Sequence, residues 1–358
     1  MSRKISNLII NKNFTIKSAL EQLDMEAKGF LAVIDECNKF VGTITDGDIR
    51  RWILKNGSLN ECVSKLMNQN PISINNGEEN IAKKIMTKNS IKALPVLNES
   101  GEINNIIFFE DHLKESYKKN SLKDIPVIIM AGGLGTRLYP YTKILPKPLI
   151  PIGDTPIVER IINKFADFGV KDFYLTVNYK KNMIKSYFNE LDKDYHVSYV
   201  EEDKPLGTGG SLYLLKNKVH ETFFVSNCDI LIECDYDSIY KHHKDRGNKI
   251  TVVASVKNFT IPYGVFKLNN KGNIDEIQEK PEFSFLINTG MYILEPEVLD
   301  DIPEGEFYNL PDILEKYMQQ GERVGVYPIS EASWMDMGQI SEMKDMINRL
   351  SEKEKYED

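Results

Sequence analysis

The C-terminal two thirds of the chain alternates short apolar runs with stretches in which apolar residues recur every three or four positions. The apolar runs predict buried strands and the periodic stretches predict helices. The predicted strands are 127–131, 173–177, 196–200 and 222–226, and the predicted helices are 157–168, 180–191 and 209–215. Strands that alternate with helices are typical of an α/β fold with a mostly parallel sheet. Loops at the carboxyl ends of its strands line the ligand crevice.

The first 120 residues contain an internal repeat. Two short apolar segments of each copy align at a constant offset of 63 residues, 31–35 with 94–98 and 42–48 with 105–111. On the helical part, Ala19 and Leu23 align with Ala82 and Met86. Two such copies packed face to face would bury each other's sheets. The polar segment 114–124 predicts a linker, so we expect one domain at 1–120 and a second at 121–358.

A glycine-rich loop follows the first predicted strand of the second domain. Residues 131–137 read AGGLGTR, and PKP follows at 146–148. Several backbone N–H groups can converge on an anion in such a loop, and Arg137 and Lys147 add two cations. Leu138 stands where a dinucleotide fingerprint needs its third glycine, and the G-K-[ST] of a P-loop is absent. The loop therefore predicts a nucleoside triphosphate site, and the alternative is a plain glycine-rich turn.

The run AGGLGTRLYPYT at 131–142, with PKPLIP at 146–151, resembles the signature of sugar-1-phosphate nucleotidyltransferases, from about residue 127 to residue 349. The resemblance implies an enzyme with a Rossmann-like, GT-A-like sheet. It implies that Arg137 holds the departing pyrophosphate and that Lys147 lies near the phosphates being exchanged. It also implies that the triphosphate is wrapped by Ala131, Gly132, Gly133, Gly135 and Thr136.

Two acidic residues each follow an apolar stretch. Asp229 ends the run FFVSNCD, and Asp336 lies within SWMDMG. Mg²⁺ takes hard oxygen ligands and usually needs one or two carboxylates plus substrate phosphates. Either acid alone could cap a turn, but both match the metal-binding acids of the resembled family. We therefore expect Mg²⁺ as the cofactor, held by this pair.

The loop after the strand 196–200 reads EEDKPLGTGG. Glu202 aligns with the base-reading side chain of the resembled family. We expect the glycines of this loop to let the flat base lie close to the backbone, with Gly207 and Thr208 among the nucleotide-binding residues. A carboxylate offers only acceptors, so it fits the adjacent N1–H and N2–H of guanine and repels the carbonyls of uracil or thymine. The residue favours GTP. The alternative is a solvated acidic loop.

Three triplets follow in the family's order: YGV at 263–265, EKP at 279–281 and NTG at 288–290. Each triplet alone is usually a turn. By resemblance they hold the sugar phosphate through Gly264, Glu279, Lys280, Asn288 and Thr289. The implied reaction is in-line attack of a sugar-1-phosphate oxygen on the α-phosphorus, with Arg137, Lys147 and Lys280 as the catalytic cations.

The repeat resembles a tandem CBS pair, most clearly in GTITDGDIR at 42–50. In that family Thr45 and Asp48 would bind the ribose of an adenine nucleotide. The second copy has Phe108 in place of the threonine and keeps Asp111, so we expect one nucleotide site. The alternative is a dimerisation or docking module that binds nothing small.

A CBS pair ahead of such a domain resembles the glucosamine-1-phosphate guanylyltransferases of bacterial legionaminic-acid pathways. The resemblance predicts that GTP and glucosamine-1-phosphate give GDP-glucosamine and pyrophosphate. Mannose-1-phosphate or heptose-1-phosphate with GTP, and another sugar with UTP, dTTP or CTP, stay open. A catalytically silent nucleotide sensor that binds a partner protein is the alternative from another class.

The charge and composition of the chain argue against several classes of function. The 358 residues carry a net charge of −8, which gives no electrostatic footprint for nucleic acid or an anionic membrane. The four cysteines form no C-x-x-C pair, and the chain shows neither a membrane-spanning apolar stretch nor a signal core. We expect a cytoplasmic enzyme that assembles as a homo-oligomer.

Overall fold

The computed structural model describes residues 5–26, 28–89, 91–108 and 120–357, without the side chains of 83, 87 and 352–357. The chain forms two compact units: Met1–Tyr117 with Phe259–Ser284, and Lys118–Asn258 with Phe285–Asp358. The sequence pattern did not indicate that 259–284 belongs with the N-terminal unit. The predicted boundary near residue 120 stays a prediction, because Asp111 and positions 114–119 of the predicted linker lie outside the described ranges. No helix in those ranges is both long and apolar enough to cross a bilayer.

The N-terminal part of the first unit is a repeated strand–helix pattern. Its helices are α1 (Ile16–Glu26), α2 (Asp46–Ile53) and α3 (Ala82–Asn89). Its strands are β1 (Ile9–Asn11), β2 (Phe30–Ile34), β3 (Phe40–Thr45), β4 (Ile74–Asn75), β5 (Ala93–Leu97) and β6 (Ile103–Phe108).

The two copies form two three-stranded sheets, ordered β1-β2-β3 and β4-β5-β6. In each sheet the first pair is parallel and the second antiparallel, and the antiparallel pair shifts register at the equivalent place, Val33/Ile34 and Val96/Leu97. The four aligned helical residues, Ala19, Leu23, Ala82 and Met86, are all buried. The structure thus confirms the repeat.

The remainder of the chain supplies thirteen further strands and seven further helices among the described residues. The strands are β7 (Val127–Met130), β8 (Pro151–Ile152), β9 (Thr155–Pro156), β10 (Asp172–Val177), β11 (His196–Glu201), β12 (Phe223–Asn227), β13 (Ile230–Ile232), β14 (Ile250–Thr260), β15 (Val265–Leu268), β16 (Ile274–Gln278), β17 (Glu282–Leu294), β18 (Val324–Ser330) and β19 (Trp334–Asp336). The helices are α4 (Tyr141–Ile144), α5 (Ile157–Ala166), α6 (Lys181–Glu190), α7 (Gly207–Gly210), α8 (Tyr236–Arg246), α9 (Leu310–Gln319) and α10 (Ile340–Glu357).

Seven of these strands form one sheet, in the order β11-β10-β7-β12-β17-β14-β18. The pairs β11/β10, β10/β7, β7/β12 and β14/β18 are parallel, whereas β12/β17 is antiparallel. The prediction of a mostly parallel α/β sheet is confirmed.

The sheet is covered on both faces, as the unbroken apolar sequence of β7 requires. Successive residues of a strand point to opposite faces. Ile129 therefore joins a core that contains Phe165 of α5, whereas Ile128 joins a second core that contains Leu310 of α9.

Four of the predicted strands and two of the predicted helices differ from the observed ones only by one or two residues at their ends.

The third predicted helix, 209–215, is helical in the structure but is not a regular α-helix throughout. The structure has a single α-helical turn at Gly207–Gly210 followed by a 3₁₀ helix at Ser211–Leu215. Glycine is a poor helix former because its backbone loses the most conformational freedom on ordering. The α-helical part, which has three glycines in four residues, therefore does not extend beyond one turn before the chain tightens into the 3₁₀ helix.

Candidate active site

Four loops leave the sheet at the same edge. Met130 at the end of β7 pairs with Asn227 at the end of β12 and with Thr176 near the end of β10. Val177, which ends β10, pairs with Glu201, which ends β11. When neighbouring parallel strands end at the same level, the residues that follow them lie side by side. The loops that begin at 131, 178, 202 and 228 therefore lie together at this edge of the sheet.

The phosphate loop, residues 131–137, is held by its own backbone. Gly135 has a left-handed backbone with φ of 66°, and a methyl group there would lie 2.8 Å from Thr142 Cγ2 and 3.1 Å from Lys147 Cβ. Only glycine fits both demands. The hydroxyl of Thr142 donates to the Gly135 carbonyl at 2.8 Å. At Gly133 an added methyl would meet no described atom within 4 Å, so this part of the loop is open to a ligand.

Arg137 lies in the 3₁₀ turn Thr136–Leu138 next to that open position and is exposed. Its guanidinium is therefore accessible to an anion at the loop. The sequence prediction placed a cation here, and the fold keeps it at the surface of the loop.

Glu202 is buried beside the phosphate loop, with 6% of its surface exposed. A methyl group at Gly132 would lie 2.7 Å from Glu202 Oε1, so the glycine makes room for the carboxylate. Asn178 Nδ2 fixes the local backbone by donating to the Glu202 carbonyl at 2.7 Å. Leu206 N donates to Oε2 at a long 3.4 Å. Burial raises the pKa of Glu202, and the backbone hydrogen bond only partly opposes this shift.

The adjacent Glu201 behaves differently. It is exposed and forms ion pairs with Lys181 and Lys185. The alternative of a solvated acidic loop therefore describes Glu201 and does not describe Glu202.

The two predicted metal acids come together through a short antiparallel pair, β13 with β19. Ile230, which follows Asp229, pairs with Asp336, and Met337 N donates to the Asp229 carbonyl at 2.7 Å. Lys147 forms an ion pair with the Asp229 carboxylate, and both side chains are largely buried. A cation from the PKP motif and both predicted acids thus share one place.

A third carboxylate, Glu342, lies beside this pair. A methyl group at Gly338 would lie 3.0 Å from Asp336 Oδ2 and 3.2 Å from Glu342 Oε2. Within the described ranges, Glu342 Oε2 is one of the buried polar atoms without a hydrogen-bond partner. Burial, together with the nearby charges of Asp229 and Glu342, raises the pKa of Asp336 to about 6, and the charge of Lys147 opposes this shift only in part.

The site therefore carries more negative charge than its one ammonium group neutralises, which suits a divalent cation. No group of three His, Cys, Asp or Glu side chains in the described ranges forms a complete metal cage. Mg²⁺ does not require such a cage, since it keeps waters and substrate phosphates as ligands. The residues present fit Mg²⁺. Sequence reasoning missed Glu342, whose one signal was its place in the first turn of the helix after Asp336.

The predicted sugar-phosphate residues divide between the two units. Gly264, Glu279 and Lys280 flank the β15–β16 hairpin of the first unit, where a methyl group at Gly264 would lie 3.0 Å from Glu279 Oε2. Asn288 and Thr289 lie on β17 in the second unit. The structure brings Gly264 and Glu279 together, and it brings Asn288 and Thr289 together.

The two residues on β17 already have internal partners. Thr289 is buried and donates its hydroxyl to the Val253 carbonyl at 2.7 Å. Asn288 Nδ2 donates to the Tyr292 hydroxyl at 2.7 Å, and Asn288 Oδ1 accepts from Gly290 N. Their roles in sugar binding stay predictions.

The prediction that the glycines of 207–210 leave space for the nucleotide base needs correction. A methyl group at Gly207 would lie 2.6 Å from the Tyr308 carbonyl, and one at Gly210 would lie 2.4 Å from the Glu306 carbonyl. Thr208 Oγ1 accepts from Leu310 N at 3.2 Å. The space that glycine leaves here is filled by the chain's own backbone at 306–309, so it is not free for a base. Direct nucleotide contacts of Gly207 and Thr208 stay predictions.

In the first unit, Thr45 and Asp48 contact each other. Asp48 Oδ2 accepts from Thr45 N at 2.8 Å and from Thr45 Oγ1 at 2.7 Å, and Asp48 Oδ1 accepts from Arg51 at 2.5 Å. This is a capping box at the start of α2. In the second copy, Phe108 packs edge-to-face on Phe30, with ring centroids 6.2 Å apart.

Comparison with known proteins agrees with this geometry. The family model for nucleotidyl transferases matches residues 126–353, and a CBS domain model matches residues 1–55. The chain belongs to the nucleotidyl transferase family. Its loop 131–137 and its acids Asp229 and Asp336 all lie inside the matched region.

Among the relatives of this nucleotidyl transferase is a mannose-1-phosphate guanyltransferase from Saccharomyces cerevisiae, 35% identical over 225 residues, which are 59% of this chain and 61% of the relative. The bifunctional protein GlmU from Methanococcus aeolicus is 35% identical over 228 residues, 61% of this chain and 52% of the relative. The chain thus spans between half and two thirds of the length of these curated relatives.

Among solved structures, HddC from Yersinia pseudotuberculosis matches with a TM-score of 0.50 and 25% identity, over 63% of this chain and 99% of HddC. A second structure of that protein, with the same TM-score, is complexed with GMP-PN.

Proposed function

We propose that this protein is a guanylyltransferase that joins GMP from GTP to a sugar-1-phosphate and releases pyrophosphate. The observation that carries the proposal is the buried carboxylate of Glu202 against Gly132. It lies at the sheet edge that also carries the phosphate loop. A buried carboxylate is an acceptor suited to the paired N–H donors of guanine. The guanyltransferase relatives and the GMP-PN complex of HddC support the same base.

In the proposed reaction, an oxygen of the sugar phosphate attacks the α-phosphorus of GTP in line. The new P–O bond forms as the bond to the β-phosphate oxygen breaks, and pyrophosphate leaves with that electron pair. The nucleophile is already an anion, so no general base is needed. Arg137 would stabilise the pyrophosphate, and Lys147 would neutralise the reacting phosphates.

Asp229 and Asp336 would hold Mg²⁺. Glu342, which lies beside Asp336, would orient the Asp336 carboxylate. Bound Mg²⁺ supplies charge neutralisation at the reacting phosphates. Buried Cys228, between Asn227 and Asp229, does not serve as a nucleophile, because burial raises the pKa of its thiol to about 12.

Glucosamine-1-phosphate is our first choice of sugar, followed by mannose-1-phosphate and heptose-1-phosphate. Gly264, Glu279 and Lys280 of the hairpin, with Asn288 and Thr289 of β17, are the proposed sugar-phosphate residues. Hydroxyl recognition depends on side-chain placement to within an ångström or so, so the choice rests on the resemblance of the whole chain.

The experiment is a matrix of GTP, UTP, dTTP, CTP and ATP against these sugar-1-phosphates, with pyrophosphate release as the readout and Mg²⁺ present. We expect turnover in the GTP row, highest with glucosamine-1-phosphate. A preference for UTP or dTTP would contradict the guanine assignment. No turnover anywhere in the matrix would favour the other class, a silent nucleotide sensor.

For the CBS repeat we propose a regulatory role with one adenine nucleotide site at Thr45 and Asp48. The capping box gives both residues a structural task as well, and this observation favours the docking module as the second candidate. We further propose that the protein acts in the cytoplasm, because the reaction draws on cellular GTP; its assembly as a homo-oligomer stays a prediction.

A further inference from the structure

Lys180 contacts the backbone that closes the phosphate loop. Its Nζ donates to the Lys143 carbonyl at 2.5 Å and to the Ile144 carbonyl at 2.7 Å, and it lies 3.5 Å from the Thr142 carbonyl. These carbonyls belong to the short helix α4, whose last C=O groups have no partner within the helix. A cation at that end satisfies them and also complements the helix dipole.

A neighbouring contact continues from this lysine into the loop. Tyr179 donates its hydroxyl to the Thr142 carbonyl at 3.2 Å. Thr142 is fully buried, and its own hydroxyl donates to the Gly135 carbonyl at 2.8 Å. Gly135 in turn packs on Lys147. A continuous set of contacts thus runs from the start of α6 to the middle of the phosphate loop.

The backbone of Lys180 is strained to make this contact. Its φ of 51° and ψ of 34° are left-handed, although it is not a glycine. A left-handed backbone is unfavourable for a residue other than glycine and persists only where its surroundings fix it. Lys181 begins the regular helix, so the left-handed backbone falls on the residue whose ammonium group contacts the carbonyls of 142–144.

After the buried Leu138, the large apolar side chains of the segment 139–144 are exposed. Tyr139, Tyr141 and Ile144 are 44%, 47% and 75% exposed, and Leu134 within the loop is 53% exposed. Segments with few buried apolar contacts open easily. The order of this segment therefore depends on its polar contacts, among which those of Lys180 are the most numerous.

We propose that Lys180 is a positioning residue, which clamps the segment 141–145 and, through Thr142 and Gly135, presets the phosphate loop for the triphosphate. The inference rests on the proposed function of the loop as the triphosphate site. Presetting a loop strengthens binding because less freedom is lost when the ligand arrives. The clamp should therefore act on nucleotide binding more than on the chemical step.

The test compares Lys180→Met with Lys181→Met, a matched control that removes the adjacent charge on the same helix. We expect Lys180→Met to raise KM for the triphosphate about tenfold while kcat and the sugar-phosphate KM change less than about threefold. Lys180→Arg should restore most of the affinity, since arginine can reach the same carbonyls with a charge. A general structural defect would not raise KM for the triphosphate while leaving kcat nearly unchanged, and arginine would not reverse it.

Hydrogen exchange on the full-length protein without nucleotide gives a readout that needs no activity. Amides of 131–145 should exchange about tenfold faster in Lys180→Met than in Lys181→Met, with the rest of the second unit unchanged. Thr142→Val, which removes only the hydroxyl, should have the same effect in a weaker form, and Thr142→Ser should not.

Loop exchange and triphosphate KM both within about twofold of the Lys181→Met values would overturn the clamp. If Lys180→Met fails to fold, the Thr142→Val and Thr142→Ser pair decides the same question, and equal loop exchange in the two would overturn it. Faster exchange confined to 131–145 supports the clamp. If no nucleotide and sugar phosphate react in the wild type, the proposed function fails while the exchange result still decides the clamp.

Discussion

Substitution of Glu202 by glutamine tests the guanine assignment most directly. Glutamine keeps the shape but replaces one acceptor oxygen with an amide that donates. It can accept from only one of the two guanine N–H groups, and its own N–H₂ then faces the other. The wild-type carboxylate accepts a long hydrogen bond of 3.4 Å from Leu206 N and one from the Thr176 side chain, so part of its hydrogen-bonding capacity is left for the base.

The expected loss follows from that geometry. One hydrogen bond to a charged group is worth about 1.5–3 kcal/mol, which corresponds to roughly a 10- to 150-fold fall in kcat/KM for GTP. UTP should improve relative to GTP, since the amide can donate to a carbonyl of uracil. ITP, which lacks the exocyclic amino group, should be a poorer substrate than GTP for the wild type and nearly equal to GTP for the variant.

Steady-state kinetics with GTP, ITP and UTP, coupled to pyrophosphate detection, measure these ratios. Glu201→Gln is the matched control, because Glu201 is the exposed neighbour that pairs with two lysines. If Glu202→Gln keeps the GTP/ITP and GTP/UTP ratios of Glu201→Gln within about twofold, the carboxylate does not read the base and the reasoning is refuted.

Three further predictions follow from the same structure. Asp229→Asn and Asp336→Asn should each lower kcat at least about a hundredfold at saturating Mg²⁺ while circular dichroism shows an intact fold, and near-wild-type turnover in either would remove that residue from the site. In EDTA, Asp336→Asn should also be more stable than the wild type at pH 7.5. The folded pKa of Asp336, about 6, lies above the unfolded value of 3.8, so the contribution of this residue to stability falls as pH rises between these values, by at most about 2 kcal/mol after solvent screening. Denaturant unfolding of both proteins at pH 4 and 7.5 measures the stability difference between them, and the same difference at both pH values would contradict the prediction. Calorimetry of the full-length protein with AMP and ATP should show one adenine-nucleotide site per chain that Asp48→Ala abolishes, while binding of guanine nucleotides at the phosphate loop should survive that substitution; no binding of adenine nucleotides at millimolar concentration would support the docking module.

The sequence by itself determined the fold class and the phosphate chemistry. The unbroken apolar run of β7 can only be a strand buried on both faces, and the glycines and cations after it suit an anion whatever surrounds them. The repeat was also visible, because equivalent residues such as Ala19 and Ala82 must fill equivalent positions in two similar cores. These features depend on local pattern, which a sequence carries explicitly.

Only the tertiary structure decided which side chains meet. Lys147 and Asp229 are 82 residues apart in the chain and form one ion pair. Glu342 reaches Asp336 only because β19 turns directly into α10, and Lys180 reaches the phosphate loop only through a left-handed backbone that no periodicity signals. The same limit applies to the glycines of 207–210. The sequence shows that they lack side chains, but it does not show that the backbone at 306–309 fills the space beside them. Contacts between distant segments depend on how the sheet and its loops pack, and the residue pattern of either segment alone does not contain that information.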